Sequence, residues 1–324
     1  MGPVDVVIPT LGRPSLSPLL TALADTAGRV IVVDDRRDAP GALPVPAGIK
    51  VVRGRGAGPA AARNDGWRTA TTDWVAFLDD DVLPQQGWYA ALLTDLAAVQ
   101  PEVGGSQGRI VVPLPRDRRP TDWERNVAGL QTAQWATADM AYQRAVLEEV
   151  GGFDERFPRA YREDADLGLR VVAAGYRIVR GGRQVTHPVR PADWRVSIRL
   201  QRGNADDPLM RVLHGRHWRK RAGVPPGRRP VHLATTAVGA LGVAGLAGGR
   251  RRLAAAGASA YLAGAAELAW RRIAPGPRTP AEAAAMAVTS AILPAVASWW
   301  YLVGWLRVRR LSGRPSLPAT VAAP

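Results

Sequence analysis

The 324-residue sequence contains no cysteine. That absence excludes disulfides, thiolate-ligated zinc and a cysteine nucleophile. Lysine is almost missing too: Lys50 and Lys220 are the only two, so the net charge of +15 comes almost wholly from arginine. Such a surface favours anionic partners, nucleotide diphosphates or acidic lipid headgroups. No nucleic-acid-binding motif accompanies the charge, and nucleic acid is not expected as a partner. The Walker loop is missing, and so is the Rossmann glycine spacing. Met1-Gly2-Pro3-Val4-Asp5 has no basic stretch leading into a long apolar run. A cleaved signal peptide is therefore not expected, and the polar part of the chain is expected on the cytoplasmic side. No repeat period is visible.

What is present reads first as an α/β domain with an appendage. Val4–Pro9, Arg29–Asp35, Ile49–Val52 and Trp74–Leu78 are short apolar runs that predict buried strands. Between them, Ser15–Ala27 (with Ser15 as cap), Gly58–Thr69 and Gln86–Val99 have helical patterns. Apolar strands alternating with helices predict a mostly parallel sheet covered on both faces. Ligands of such sheets bind beyond the carboxyl ends of the strands, where Thr10, Asp34, Asp35, Asp79, Asp80 and Asp81 lie. Residues 113–135, with three prolines and a charged run, predict a loop. A strand over Ala138–Gln143, helices over Arg144–Val150 and Asp164–Ala174, and a strand over Tyr176–Arg180 complete a domain spanning 1–190.

Residues 191–230 form a basic, Trp-containing connector. Three apolar stretches follow, 231–249, 253–270 and 281–306, then a tail over 311–324. Their lengths suit a hydrocarbon core of about 30 Å, predicting two to three membrane segments. Trp299, Trp300, Tyr301 and Trp305 ahead of Arg307, Arg309 and Arg310 have the form of an interfacial belt with a basic flank. An Ala/Gly-rich soluble helical subdomain is the alternative. Arginines on both sides of the first stretch leave the number and orientation of spans open.

Four segments can carry chemistry. Asp79-Asp80-Asp81 ends an apolar strand, and three adjacent carboxylates need compensation. Mg2+ or Mn2+ supplies it, taking a few carboxylates and completing its shell with phosphate and water. Extended-chain alternation would aim Asp79 and Asp81 at one site and leave Asp80 for the sugar or ribose; a solvated acidic turn is the alternative. Asp34-Asp35 suits a ribose or base, or is a polar strand end. In the glycine-rich run from Gly54 to Asp65, Arg63 and Asn64 are placed to reach a nucleotide, or the run is a helix start packed on the sheet. Asp164, beside Glu163 at a helix start, suits a general base or is an ordinary acidic cap. His187 can complete a metal shell, and Pro9-Thr10 with Gly12-Arg13 can shape a base pocket.

Taken in order, Val-Val-Ile-Pro-Thr, Val-Val-Asp-Asp, Ala-Ala-Arg-Asn-Asp-Gly, Phe-Leu-Asp-Asp-Asp, Ala-Asp-Met-Ala-Tyr, Gly-Gly-Phe-Asp-Glu-Arg-Phe and Glu-Asp-Ala-Asp-Leu resemble a family 2 glycosyltransferase with the GT-A fold. The resemblance covers residues 3 to about 190, and the whole pattern is similar to bacterial transferases with C-terminal membrane helices. It implies inverting transfer from a nucleotide-diphospho-sugar to a glycan or lipid-linked acceptor hydroxyl at the membrane. By position, Pro9, Thr10, Asp34, Asp35 and Arg63 would hold the nucleoside, with Asp79 and Asp80 at the diphosphate and sugar. Asp79, Asp81 and His187 would bind a divalent cation. Asp164 would be the base with Glu163 beside it, and Gly152, Phe153 and Asp154 would line the acceptor side. The Gln-X-X-Arg-Trp motif of processive synthases is missing; Gln201-Arg202-Gly203-Asn204 does not supply it, which implies transfer of one sugar at a time. Two rivals are a same-fold nucleotidyltransferase, disfavoured because the loop after the first strand has no lysine, and a catalytically inactive membrane scaffold.

Overall fold

The computed structural model describes residues 2–24, 26, 29–38 and 41–312. Four apolar runs form the parallel part of one sheet: β1 (Asp5–Thr10), β2 (Arg29–Asp34), β3 (Lys50–Arg53) and β4 (Trp74–Leu78). β1 lies between β2 and β4, and β3 flanks β2. The sheet continues through β7 (Asp139–Gln143), antiparallel to both β4 and β6 (Val103–Val111). β8 (Arg177–Thr186) runs parallel to β6, and the short β5 (Leu83–Pro84) closes that edge. The resulting eight-stranded order is β3-β2-β1-β4-β7-β6-β8-β5.

Side-chain alternation along the strands feeds two cores. Val6, Ile8, Val32, Ala76 and Leu78 pack on one face with Leu16, Leu19 and Leu20 of α1 (Leu16–Ala22) and Leu92 and Leu96 of α3 (Trp88–Ala97). Val7, Ile31, Val33, Val75 and Phe77 pack on the other. There they meet α2 (Pro59–Trp67), α5 (Arg144–Val150) and α6 (Glu163–Ala173). This is the expected α/β sheet with helices on both faces.

Several local expectations change. Ser15 has helical backbone angles and makes no capping bond, and α1 ends at Ala22; Ala27 lies outside the described residues. The loop expected over 113–135 contains α4 (Asp122–Ala128), started by a capping box: Thr121 Oγ1 accepts from Glu124 N, and Glu124 Oε2 accepts from Thr121 N. β5 and β6 were not foreseen, and β8 runs on to Thr186.

The segment after residue 190 is folded too. α7 (Val196–Leu200), α8 (Asp207–His214) and α9 (Trp218–Arg221) follow, and Leu209, Met210 and Trp218 share a third core with Trp135, Phe157 and Leu169. Three long helices come next: α10 (Arg229–Ala247), α11 (Arg251–Ile273) and α12 (Pro280–Ser312). α10 and α11 approach at backbone distance. A Cβ on Gly257 would lie 2.4 Å from the Gly242 Cα, the packing that small residues permit. Among the described residues two helices, Arg229–Ala247 and Pro280–Leu311, are long and apolar enough to cross a membrane. α11 falls short of that. Both turn large apolar groups outward; Leu246 is 70 % exposed and Trp299 61 %.

Candidate active site

The ends of β1 and β4, the start of α2 and the start of α6 surround one cavity of about 900 Å³. Pro9, Thr10, Asp35, Arg63, Asp79, Asp80, Asp81, Glu163, Asp164 and His187 all line it, so most of the residues singled out from the sequence converge. The cavity continues past Trp123 and Leu200 to His232, Leu268, Arg272 and Leu293 on the three long helices.

The aspartate triplet does not sit in an extended strand. β4 stops at Leu78, and Val82 N reaches back toward Asp79 O, so the triplet turns. The expected two-residue alternation therefore does not apply. Each carboxylate instead takes its own cation. Asp79 Oδ1 accepts from Arg63 Nη2 at 2.7 Å. Asp80 accepts from Thr10 Oγ1 and from Arg13 Nη1, both at 2.7 Å. Asp81 Oδ2 lies 3.1 Å from Arg190 Nη2, and its Oδ1 is 3.6 Å from His187 Nε2. Burial, then repulsion from Asp79, raises the Asp81 carboxyl above its ordinary range. Among the described residues no three His, Asp or Glu side chains stand close enough to hold an ion by themselves. Asp79, Asp81 and His187 thus share the cavity without forming a complete protein shell.

Arg63 lines the cavity but is committed to two carboxylates. It is 2 % exposed, and while one end holds Asp79 its Nη1 donates to Glu163 Oε1 at 2.9 Å. Glu163 Oε2 accepts from Tyr161 N. Burial raises the Glu163 carboxyl, with Arg63 opposing. Glu163 is thus a buried strut, and Asp164 is the group that faces the cavity. Asp164 Oδ1 accepts from the neighbouring Ala165 N at 2.7 Å. Desolvation, then the negative charge of Glu163, pushes Asp164 up to about 7.

Asp34 and Asp35 separate. Asp35 lines the cavity and accepts from Gly56 N at 2.7 Å and Gly58 N at 3.1 Å. Burial raises it despite those bonds. Gly56 (φ 63°) and Gly58 (φ 101°) provide the left-handed backbone that aims both amides at this carboxylate, so the glycine-rich run serves Asp35. Asp34 does not line the cavity. Arg36 grips it with Nε at 2.7 Å and Nη2 at 2.8 Å, holding the carboxyl below its ordinary range, and Arg53 adds a third bond.

Gly152, Phe153 and Asp154, expected on the acceptor side, are not among the residues that line the cavity. Asn64 Oδ1 accepts from Phe153 N and Asn64 Nδ2 donates to Phe153 O, both at 2.9 Å, so this loop is strapped to α2. Asn64 is spent on that strap and does not reach a nucleotide. The Phe153 ring packs edge-on against Phe77, and Asp154 pairs with Arg156. Away from the aspartate turn the cavity is also lined by residues that carry no sequence signal: Trp123, Asn126, Tyr161, Arg190, His232 and Arg272.

The profile of the family described as Glycosyl transferase family 2 matches residues 5–165. These residues are a family 2 glycosyltransferase domain. Over 194 residues the chain is 34 % identical to the pre-mycofactocin glycosyltransferase of Mycobacterium tuberculosis strain H37Rv, covering 54 % of this chain and 40 % of that protein. It is 27 % identical over 176 residues to the chondroitin synthase of Pasteurella multocida strain Pm70, covering 41 % of this chain and 18 % of that protein. The chain therefore spans less than half the length of these curated relatives. Among solved structures, the glucosyl-3-phosphoglycerate synthase of Mycobacterium tuberculosis, in complex with Mn2+, UDP-glucose and phosphoglyceric acid, superposes with a TM-score of 0.42 and 16 % identity over 69 % of this chain and 81 % of that one. The matched span runs from the start of β1 to the first turn of α6.

Proposed function

We propose that this protein is an inverting, metal-dependent glycosyltransferase that moves one sugar from a nucleotide-diphospho-sugar to an acceptor hydroxyl. The observation that carries this is the single cavity holding both the aspartate turn and Asp164. Asp164 takes the proton from the acceptor hydroxyl. The freed oxygen bonds to the anomeric carbon from the side opposite the leaving group, while the bond to the donor diphosphate breaks, which inverts that carbon. A base with a pKa of about 7 is matched to this work at neutral pH. Thr10, Asp35 and Asp80 lie on the nucleoside and sugar side of the cavity.

Asp81 and His187, with Asp79 beside them, are the residues that would hold a divalent cation. The fit rests on the donor set: the Asp81 carboxylate, buried and close to Asp79, has the His187 ring nitrogen 3.6 Å away, so oxygen and nitrogen donors suited to a divalent cation gather at one wall of the cavity. Mg2+ or Mn2+ bound there would offset charge on the departing diphosphate. We further propose attachment to the membrane through α10 and α12, with the catalytic side cytoplasmic, and a lipid-linked or envelope-glycan acceptor. The run of the cavity into α10, α11 and α12 supports that placement.

The test is a panel of UDP-, GDP- and dTDP-sugars offered to the full-length protein with and without chelator. Release of nucleotide diphosphate is expected with one donor class, lost on chelation and in Asp81→Ala. Unchanged release in the chelated enzyme would sink the metal assignment. No release from any donor would sink the transferase proposal.

A further inference from the structure

A second cavity, of about 150 Å³, adjoins the first and shares Tyr161, Gln201, Asn204 and His232 with it. That volume has room for a phosphate group. The rest of its lining is Arg219, Gly227, Arg228 and Arg229, with the small residues Ala297 and Ser298 of α12.

The arginines here outnumber their carboxylates. Arg162, Arg219 and Arg229 share Asp207. Arg159 and Arg307 share Asp206, and Arg228 and Arg271 share Glu267. Each of these three acids is already claimed by more than one cation. Surplus positive charge in a partly desolvated space is unfavourable unless an anion offsets it. Arg228 Nε is moreover a buried donor with no hydrogen-bond partner. Guanidinium forks match phosphate oxygens, and the 19-residue helix α10 begins at the same place, adding its N-terminal field.

We propose that this side pocket binds a phosphate group carried by the acceptor. The inference rests on the transferase proposal for the word acceptor, and on the pocket alone for the phosphate. Tyr161 stands in the wall between the pocket and the cavity that holds Asp164, so an acceptor anchored by its phosphate in the pocket extends its hydroxyl into the cavity.

The experiment is calorimetric titration of the full-length protein in nonionic detergent with two probes, inorganic phosphate and decyl phosphate. Arg228→Gln is expected to weaken both by about tenfold or more, the loss of a charge-assisted bond. Arg228→Lys, which keeps the charge, is expected to fall between wild type and Arg228→Gln. Glu267→Gln lies outside the pocket and removes the carboxylate that competes for Arg228, so it is expected to tighten both probes. Unchanged binding in Arg228→Gln, or weaker binding in Glu267→Gln, would overturn the proposal. Decyl phosphate binding about tenfold more tightly than inorganic phosphate identifies a lipid-borne group; equal affinities identify a soluble phosphate ester. Because the readout is binding, a protein that binds phosphate through Arg228 yet releases no nucleotide defeats the transferase proposal and leaves the pocket. One that releases nucleotide with Arg228-independent phosphate binding does the reverse.

Discussion

Within the sheet, a buried charge is met side to side by a few fixed partners. Arg183, fully buried, holds Asp139 at 2.7 Å and Asp95 at 3.2 Å. Arg63 joins Glu163 to Asp79. In the long helices the outward surface is apolar, and charge gathers instead at the seam with the sheet domain, where several arginines crowd each acid. The sheet domain spends its ion pairs on rigidity: they hold one carboxyl, Asp164, at the cavity wall beside a like charge. The seam keeps positive charge in excess, as a surface prepared for anions does. The two arrangements differ in what a single substitution should do.

The largest effect is expected at Asp164, the proposed base. Asp164→Asn should lower turnover by about 10² to 10⁴-fold in a single-turnover assay. In the wild type, transfer should rise with pH through about 7, because the base works ionised. The same raised pKa means that the folded state holds this proton better than the unfolded chain, whose value is near 3.8, so stability declines as pH rises between the two. Asp164→Asn should remove that decline in denaturant titrations at pH 5 and 8. A turnover loss smaller than tenfold would reassign the base.

Next comes the strut. Arg63→Ala leaves Glu163 buried without its cation, a loss of about 3–5 kcal/mol in unfolding free energy. The loss should grow from pH 5 to 8, since Glu163 then resists ionisation more strongly. Adding Glu163→Gln should recover part of it; no recovery would mean that the pair contributes through packing rather than charge. In the helices the sensitive feature is shape. Gly257→Val drives a side chain into the Gly242 backbone and should cost about 1–3 kcal/mol, read as a lower melting temperature in detergent with no pH dependence. The smallest change is Thr121→Ala, which removes the α4 cap for about 1 kcal/mol and tests whether α4 steadies the cavity wall at Trp123.

The parallel strands were legible because each is an uninterrupted apolar run. β6 was not. It begins Val103-Gly104-Gly105-Ser106-Gln107-Gly108, which reads as a turn, yet a Cβ at Gly104 would meet Tyr176 and one at Gly108 would meet the Asp139 carboxylate. Those glycines answer to side chains far away in sequence. α4 was hidden by flanking prolines and arginines, although its Thr121–Glu124 signature was present. At the site, residue types and order pointed to the cavity, and Thr10, Asp35, Asp79, Asp81, Asp164 and His187 do share it. What the order of residues does not encode is pairing. Arg63, Asn64 and Asp34 all looked available for a ligand, and each is occupied by a partner brought in by the fold. The far part of the cavity was illegible for a related reason: Trp123, Asn126, His232 and Arg272 stand singly on α4, α10 and α11, with no motif of their own.

Arg162 stands immediately before Glu163 and Asp164, and it donates to Asp207, the acid that Arg229 of α10 also holds. Its guanidinium lies 4.0 Å from the Tyr161 ring centre and 5.0 Å from that of Trp218. Arg307 of α12 grips the adjacent Asp206, and Gly304 brings that helix against the Ala205 carbonyl. The long helices are therefore tied to the turn that presents the base, not hung from the domain by a free tether. A tether can be cut and the enzyme merely drifts. Here, cutting the chain ahead of α10 would take away Arg229 and Arg307, and with them two of the cations that hold Asp206 and Asp207 beside the Asp164 turn.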